Sequence, residues 1–318
     1  MPNSDTDPDS ETRVTIDRQP AIPATYRYRS NLLAYLAALR PKQWTKNAIV
    51  FAALVFDLKL FDFSRLATVV GAFICFCLAS SAVYIVNDLC DIESDRLHPK
   101  KRLRPIAAGQ VSSQSAWLMV ALLLLVSVPV ALLLRPAFGA VLIGYLALMT
   151  AYTFVLKHLV IIDVFAISAG FVLRAAGGAV VLDIPISPWL YVCTVLLSLF
   201  LGFGKRRHEL LLLESSAGSH RRNLDEYSPE LLDQFIMISA AATIMAYSLY
   251  TIEAVTLPDD HSMMLTIPFV AYAIMRYLFL VHRRDGGGSP EQVLLTDLPL
   301  LSCITLWGLV AVTILYVG

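Results

Sequence analysis

Four residues with oxygen-bearing side chains, Asn87, Asp88, Asp91 and Asp95, lie close together between two long apolar runs. On a helix of about 100° per residue, the spacings i, i+4, i+8 and i, i+3, i+7 bring all four to one face. Three aspartates on one face repel one another, and no neighbouring residue obviously cancels this charge, so we expect a cation between them. Carboxylate and amide oxygens suit Mg²⁺, whose remaining positions are filled by water and phosphate oxygens. The pattern predicts a magnesium site of Asn87, Asp91 and Asp95, with Asp88 as a fourth catalytic residue.

A basic segment, residues 98–105 with the sequence HPKKRLRP, directly follows the aspartates. Its prolines end the helix and start a loop, which keeps Lys101, Arg102 and Arg104 near the acidic face. Proteins bind a diphosphate with such a set, since Mg²⁺ bridges phosphate oxygens while Lys and Arg neutralise the remaining charge. The two adjoining segments therefore predict a site for a substrate that carries a diphosphate.

The composition predicts an integral membrane protein. The chain has 318 residues, 57% of them hydrophobic and 16% charged, whereas a soluble domain carries about 25% charged residues. Spans of about 20 apolar residues are predicted at nine places: 44–60, 65–88, 114–134, 137–156, 160–182, 188–204, 234–254, 263–281 and 293–316. Residues 1–35 are mostly polar and lack the apolar core of a signal peptide, so we expect a disordered cytosolic tail before one membrane domain, residues 36–318.

Basic residues are distributed unevenly around these spans. With the N-terminus inside, the outside loops hold only Lys59, Arg65 and Arg135 of the 25 Lys and Arg residues. The positive-inside rule therefore predicts a cytosolic N-terminus in the cell (inner or plasma) membrane. The aspartate motif and the polar clusters PKQWTKN, LKH and GKRRHEL all fall on the cytosolic face. We expect these clusters to form one site.

The aspartate motif resembles the first signature, NDxxDxxxD, of the UbiA superfamily of intramembrane prenyltransferases. The resemblance implies an all-α bundle of nine transmembrane helices around a central cavity open toward lipid. Many members carry a second aspartate-rich signature after helix 6, but this chain has GKRRHELLLLE there. That departure, with the runs LRPKQWTKN, HPKKRLRPIAAG and LRAAGG, is similar to the branch of the family that transfers phosphoribose to a lipid. The resemblance covers roughly residues 36–317.

In that branch, the resemblance implies phosphoribosyl pyrophosphate (PRPP) as donor and decaprenyl (polyprenyl) phosphate as acceptor. The implied products are decaprenylphosphoryl-5-phosphoribose, on the route to cell-wall arabinan, and pyrophosphate. A lipid phosphate is already an anion, with a second pKa of about 6, so it needs no general base. The three histidines of the cytosolic clusters lie in or beside basic residues, and we interpret them mainly as interface or phosphate contacts.

The ribose 5-phosphate and the lipid phosphate also need cations. The expected phosphate-binding residues are Lys46, Lys101, Arg102, Arg104, Lys157, Arg174, Lys205 and Arg206. Arg174 lies inside an apolar span, where a charge is costly and marks a functional site. Asp163 shares its helical face about three turns away, so we expect both to line the cavity, with a helix–helix ion pair between Arg174 and some other residue as the alternative. Glu209 and Tyr227 are expected to contact the ribose or a second metal, or else to be solvated.

Two other functions remain open from the sequence. An aromatic prenyltransferase of the same fold, using an isoprenyl diphosphate, is disfavoured by the missing second aspartate signature. An anion transporter usually needs polar or broken helices near the membrane midplane, and these spans are largely apolar. The expected partners are therefore PRPP, the lipid phosphate and the membrane, without nucleic acid, and a homo-oligomer is left open.

Overall fold

The computed structural model describes residues 31–56, 61–98, 101–185, 188–214, 226–254, 257–283 and 290–317, and the regular secondary structure within these ranges is helical. The α-helices are α1 (Asn31–Ala38), α2 (Ala52–Phe56), α3 (Phe63–Cys90), α4 (Ile92–Leu97), α5 (Ser113–Leu134), α6 (Pro136–Phe154), α7 (Ile162–Leu182), α8 (Pro188–Glu214), α9 (Pro229–Glu253), α10 (Ile267–Arg283), α11 (Pro290–Thr296) and α12 (Leu298–Val317). The 3₁₀ helices cover Pro41–Phe51, Lys101–Leu103, Leu156–His158 and Ser262–Thr266. The predicted all-α class is confirmed.

Seven helices in the described part of the chain are long and apolar enough to cross a membrane: α3, α5, α6, α7, α9, α12 and Ser262–Arg283, which includes α10. The sequence predicted nine. The sixth predicted span, 188–204, lies in α8, which has 27 residues but is not among the seven. The first, 44–60, is divided between a 3₁₀ helix and α2, and its last four residues lie outside the described ranges. The chain is a multi-pass membrane protein.

The boundary predicted between the disordered tail (residues 1–35) and the membrane domain (residues 36–318) falls inside α1. This helix begins at Asn31, and Ala34 is buried against Ala82 and Ile85 of α3. Residues 31–35 are therefore helical, in place of the disordered tail expected there, because α1 buries an apolar face on α3. The rest of the expected tail, residues 1–30, lies outside the described residues.

Side-chain caps start several of the long helices. Asp62 accepts hydrogen bonds from the backbone N–H groups of Ser64 (3.0 Å) and Arg65 (3.1 Å) at the start of α3. Ser112 and Ser228 cap α5 and α9 in the same manner. Such caps satisfy backbone donors that have no partner within the helix, and they set where each span begins.

The 3₁₀ helix Pro41–Phe51 is unusually long. It has 11 residues, whereas runs beyond about four are uncommon. Arg40, which precedes it, has left-handed backbone angles of φ 53° and ψ 57°. The helix lies directly against α7, where a Cβ added to Gly178 would be 2.0 Å from the carbonyl oxygen of Val50. Only a glycine permits this approach, which fixes the segment that carries Lys46.

Two buried apolar clusters make up most of the core. One joins α8, α9 and α10 through residues such as Phe200, Ile236 and Tyr277. The other joins α3 and α6 through Phe76 and Phe138, whose rings meet edge to face with centroids 5.7 Å apart. Helix α7 contributes to both clusters, so its polar residues lie between the two halves of the bundle.

Candidate active site

The NDxxDxxxD motif lies where α3 ends and α4 begins. The spacing of the motif predicts one continuous helix, but α3 ends at Cys90 and Asp91 has φ −99° and ψ 12°. The Asp91 N–H still donates to the Asn87 carbonyl (3.0 Å), and the Asp95 N–H donates to the Asp91 carbonyl (2.8 Å). Because these bonds carry the helical register across the break, the four side chains remain in one region.

Arg104 connects two of the aspartates. Its Nη1 donates to Oδ1 of Asp88 (3.0 Å) and to Oδ2 of Asp95 (2.6 Å). Arg40 Nη2 donates to the same oxygen of Asp88 at 2.5 Å. Both carboxylates are buried, each with 2% exposure. Burial raises the pKa of the Asp95 carboxyl above its ordinary value, and the positive charge of Arg104 opposes that change.

The remaining aspartate has a different cation. Asp91 accepts hydrogen bonds from Lys157 Nζ (2.9 Å) and from the amide of Asn87 (3.0 Å). Lys157 is 66 residues away in sequence. The expectation that no residue cancels the repulsion between the aspartates is therefore wrong, because Arg40, Arg104 and Lys157 supply positive charge from other segments. We call these three basic residues and the NDxxDxxxD side chains the acidic cluster.

The oxygen set of the acidic cluster fits Mg²⁺ chemically, since it consists of carboxylates and one amide. Within the described ranges, however, no three His, Cys, Asp or Glu side chains are grouped closely enough to hold a metal ion. Each aspartate is bonded to an arginine or a lysine instead. The predicted ligands Asn87, Asp91 and Asp95 therefore remain a prediction, and a bound cation would have to share these carboxylates with basic side chains.

A second polar group surrounds Arg206 at the end of α8. Its Nε donates to Oδ2 of Asp163 at 2.6 Å, its Nη2 donates to the Tyr152 hydroxyl at 3.1 Å, and its Nη1 donates to Glu209. Arg206 has 2% exposure and Asp163 has none. All three guanidinium nitrogens are thus bonded to the protein. Together with Tyr227 these residues form what we call the Arg206 cluster.

Tyr227 joins this cluster to the loop between α6 and α7. Its hydroxyl lies 3.3 Å from Oδ1 of Asp163 and accepts a hydrogen bond from the Ile161 N–H at 2.6 Å. Ile161 has φ 68° and ψ −48°, and the next N–H, of Ile162, donates to the Val160 carbonyl at 2.7 Å. This is a γ-turn with a positive central φ, a rare and strained form. The sequence analysis did not identify this turn.

Arg174 belongs to a third network. Its Nε donates to Asn47 (2.6 Å), its Nη1 to the Gly170 carbonyl (2.9 Å) and its Nη2 to the Tyr145 hydroxyl (2.7 Å). The expectation that Arg174 and Asp163 both line the cavity stays a prediction, and each of them has a polar partner on a neighbouring element. The partners of Arg174 among the described residues are neutral groups, in place of the ion pair that was its alternative, and they tie the long 3₁₀ helix to α6 and α7.

The other predicted phosphate ligands are distributed over the same end of the bundle. Lys101 acts electrostatically on Asp95. The Nε of Arg102 is buried without a hydrogen-bond partner in the part of the chain that the structure describes. Lys205 Nζ lies 3.9 Å from Glu209, and Lys46 lies on the long 3₁₀ helix. Arg40 was not among the predicted site residues, although it lies in the run LRPKQWTKN that carries part of the family resemblance.

An apolar cavity of about 500 Å³ lies between the long 3₁₀ helix with α2 and the helices α7 to α12. Its walls include Ile49 of the 3₁₀ helix, Phe171 of α7, Leu201 of α8, Tyr277 of α10 and Trp307 of α12. Ligand cavities of this size are lined mainly by apolar side chains with few polar groups. This space suits a hydrocarbon chain better than a charged molecule.

The fold and the site define an integral membrane protein that contains both a centre of acidic and basic side chains and an apolar cavity. The model of the UbiA prenyltransferase family matches residues 48–293. Solved structures of a UbiA homolog from Archaeoglobus fulgidus, bound to DMAPP and Mg²⁺ and to GPP and Mg²⁺, superpose with TM-scores of 0.67 and 0.67 at 18% and 19% identity. They cover 90% and 89% of this chain and 100% and 99% of the solved chains.

Relatives of higher identity match along most of the chain. Decaprenyl-phosphate phosphoribosyltransferase from Mycolicibacterium smegmatis is 35% identical over 286 residues, which is 86% of this chain and 89% of the relative. The protein of the same name from Mycobacterium tuberculosis is 38% identical over 275 residues, 84% of this chain and 90% of the relative. The chain belongs to the UbiA prenyltransferase family.

Proposed function

We propose that the chain transfers 5-phosphoribose from PRPP to decaprenyl, or a related polyprenyl, phosphate and releases pyrophosphate. The observation that carries this proposal is the identity of 35% and 38%, over most of both chains, to relatives named decaprenyl-phosphate phosphoribosyltransferase. The replacement of a second aspartate signature by Lys205, Arg206 and Glu209 supports it. In this chain that segment carries a buried arginine bonded to protein groups.

The acidic cluster is the proposed donor site. Asn87, Asp91 and Asp95 would hold Mg²⁺, with Asp88 beside them, and the ion would supply positive charge to the diphosphate of PRPP. Arg104 and its neighbouring cations add further charge to the same region. Their side chains are ordered by carboxylates before any substrate binds, which lowers the reorganisation needed when negative charge develops on the leaving group.

The proposed reaction exchanges one bond at ribose C1 for another. The bond from C1 to the diphosphate oxygen breaks, and the diphosphate leaves with the electron pair as pyrophosphate. An oxygen of the lipid phosphate donates its electron pair to C1 and forms the new bond. The acceptor is already an anion, so no side chain has to remove a proton.

The apolar cavity is the proposed site of the polyprenyl chain. Its lining from the 3₁₀ helix, α8 and α10 continues toward the polar end of those elements, where Lys46 and Lys205 lie. We further propose that this end of the bundle lies on the cytosolic side of the cell membrane, because most of the basic residues lie at this end. We also propose that the helices from α1 to α12 form one transferase domain.

A second candidate is an aromatic prenyltransferase with an isoprenyl diphosphate donor. It is favoured by the fold shared with the A. fulgidus homolog, which was solved with DMAPP and GPP bound. Purified protein given labelled PRPP and decaprenyl phosphate should form a labelled lipid only when Mg²⁺ is present. EDTA or the substitution Asp91→Ala should abolish that product. Turnover of an isoprenyl diphosphate with an aromatic acceptor, and none of PRPP, would support the second candidate instead.

A further inference from the structure

Lys46 and Lys205 lie where two walls of the apolar cavity reach the polar end of the bundle. Ile49 and Leu201 both line the cavity. In a 3₁₀ helix residues three apart eclipse one another, so Lys46 lies on the face of Ile49. On an α-helix residues four apart are neighbours, so Lys205 lies on the face of Leu201. The two lysines therefore place positive charge directly beside the apolar lining of the cavity.

The charges of the two lysines act on each other. Lys46 exerts a repulsive electrostatic effect on Lys205, whose side chain is 39% exposed and lies 3.9 Å from the Glu209 carboxylate. Like charges repel each other, and an anion bound near both ammonium groups would offset that repulsion. The carboxylate of Glu209 supplies part of that negative charge, and it is shared with Arg206. A phosphate monoester would supply more.

Both lysines are held in place by the residue that follows them. Asn47 accepts a hydrogen bond from the buried Arg174 at 2.6 Å. Arg206 is bonded to the buried Asp163 at 2.6 Å. The backbone on each side of the cavity mouth is thus fixed by a buried polar contact, while the adjacent lysine side chain is only partly buried. Such preorganisation reduces the entropy lost when a ligand binds.

The lysine pair also differs from the cations of the acidic cluster. Arg40, Arg104 and Lys157 are all bonded to aspartates of the NDxxDxxxD motif, and they belong to the proposed donor site. Lys46 and Lys205 instead adjoin the cavity that suits a hydrocarbon chain. We infer that Lys46 and Lys205 form the binding site for the phosphate head of the acceptor lipid, whose chain occupies the apolar cavity. This inference rests on the proposed function. It assigns PRPP to the cations of the acidic cluster and the lipid phosphate to Lys46 and Lys205.

The test measures binding of the two substrates separately with the full-length protein in nanodiscs. The variants are Lys46→Gln, Lys205→Gln and the double variant. Lys42→Gln is the matched control, since Lys42 lies exposed on the same 3₁₀ helix. Each single variant should weaken decaprenyl phosphate binding about tenfold, the loss of one charge-assisted contact. Binding of PRPP with Mg²⁺ should change less than about twofold, and Lys42→Gln should behave as wild type.

Two further comparisons test whether the lysines recognise the phosphate group of the lipid. Decaprenol, which lacks the phosphate, should bind wild type and the glutamine variants equally weakly. Lys46→Arg and Lys205→Arg should restore much of the affinity for decaprenyl phosphate, which separates a charge effect from a folding defect. In steady-state transfer, the KM for the lipid should rise in the glutamine variants while the KM for PRPP stays constant.

Several outcomes would overturn the assignment. A rise in the KM for PRPP with unchanged lipid binding would move the lysines to the donor site. Unchanged binding of both substrates by the double variant would show that neither lysine takes part in binding them. Wild-type protein that binds decaprenyl phosphate but transfers no phosphoribose to it would contradict the proposed function alone, and the same binding comparison would still decide the role of the lysines.

Discussion

The hydroxyl of Tyr227 accepts a hydrogen bond from the backbone N–H of Ile161, with 2.6 Å between oxygen and nitrogen. Ile161 is a β-branched residue at φ 68°, a conformation that costs about 1–3 kcal/mol and needs surrounding structure to maintain it. The loop that contains this turn begins with Lys157, which binds Asp91, and ends at Asp163, which binds Arg206. The Tyr227 bond therefore stabilises the connection between the acidic cluster and the Arg206 cluster.

Tyr227→Phe removes this hydroxyl and keeps the ring. The Ile161 N–H would lose its acceptor, and the loss of such a part-buried hydrogen bond costs about 0.5–1.5 kcal/mol. We expect a lower Tm and a lower kcat, because the loop that carries Lys157 is no longer held. Thermal unfolding and steady-state kinetics measure both, with the exposed Tyr191→Phe as the control. A Tyr227→Phe protein with wild-type kcat and Tm would show that the bond does not position the loop.

The strain at Ile161 can be measured by comparing alanine with glycine. Alanine keeps the penalty of a positive φ, whereas glycine adopts that angle freely. Ile161→Gly should therefore be more stable than Ile161→Ala by about 1 kcal/mol. The neighbouring Ile162 opens α7, and there the order should reverse by about 0.5–1 kcal/mol in favour of alanine. The same order at both positions would contradict a strained turn.

Arg40 is predicted to be necessary for the acidic cluster although the sequence analysis did not select it. Arg40→Gln leaves the buried carboxylate of Asp88 with one cation fewer, and losing one partner of such a pair costs several kcal/mol. We expect at least about a tenfold loss of kcat/KM for PRPP. Lys42→Gln on the adjoining 3₁₀ helix is the control. Equal loss in both variants would point to general surface charge in place of a specific contact with Asp88.

The spacing of residues along the chain was sufficient to find the acidic cluster and insufficient to find its partners. Asp88, Asp91 and Asp95 could be grouped because helical geometry relates positions three, four and seven apart. Arg40 and Lys157 reach them from 48 and 66 residues away, and such distances depend on how the helices pack. For this reason the local sequence predicted an uncancelled charge where the folded chain supplies three cations.

The costly position of Arg174 could be recognised from the sequence, but its role could not. An arginine within an apolar span must find partners, and that part of the argument holds. Its partner Asn47 lies 127 residues away, on a segment predicted to be part of a regular span. The γ-turn at Ile161 had no signal at all, since nothing in the run LVIID indicates a positive φ. Local patterns identify residue types that need partners, and tertiary packing determines which ones they obtain.

Arg206 and Lys205 are adjacent in sequence, and they should respond differently to the same substitution. Arg206 has 2% exposure and bonds to Asp163, Glu209 and Tyr152. Arg206→Gln leaves the buried Asp163 without its cation, so we expect about 3–5 kcal/mol of destabilisation. Lys205→Gln breaks one partly exposed contact of 3.9 Å, which contributes about 1 kcal/mol or less.

Thermal unfolding in nanodiscs compares the two variants directly. A large fall in Tm for Arg206→Gln, with little change for Lys205→Gln, would show that Arg206 serves the fold while its neighbour remains available to substrate. A similar and small fall for both would mean that the Asp163 carboxylate does not depend on Arg206. In that case Arg206 would return to the set of candidate phosphate ligands predicted from the sequence, and its buried contacts would have to open when substrate binds.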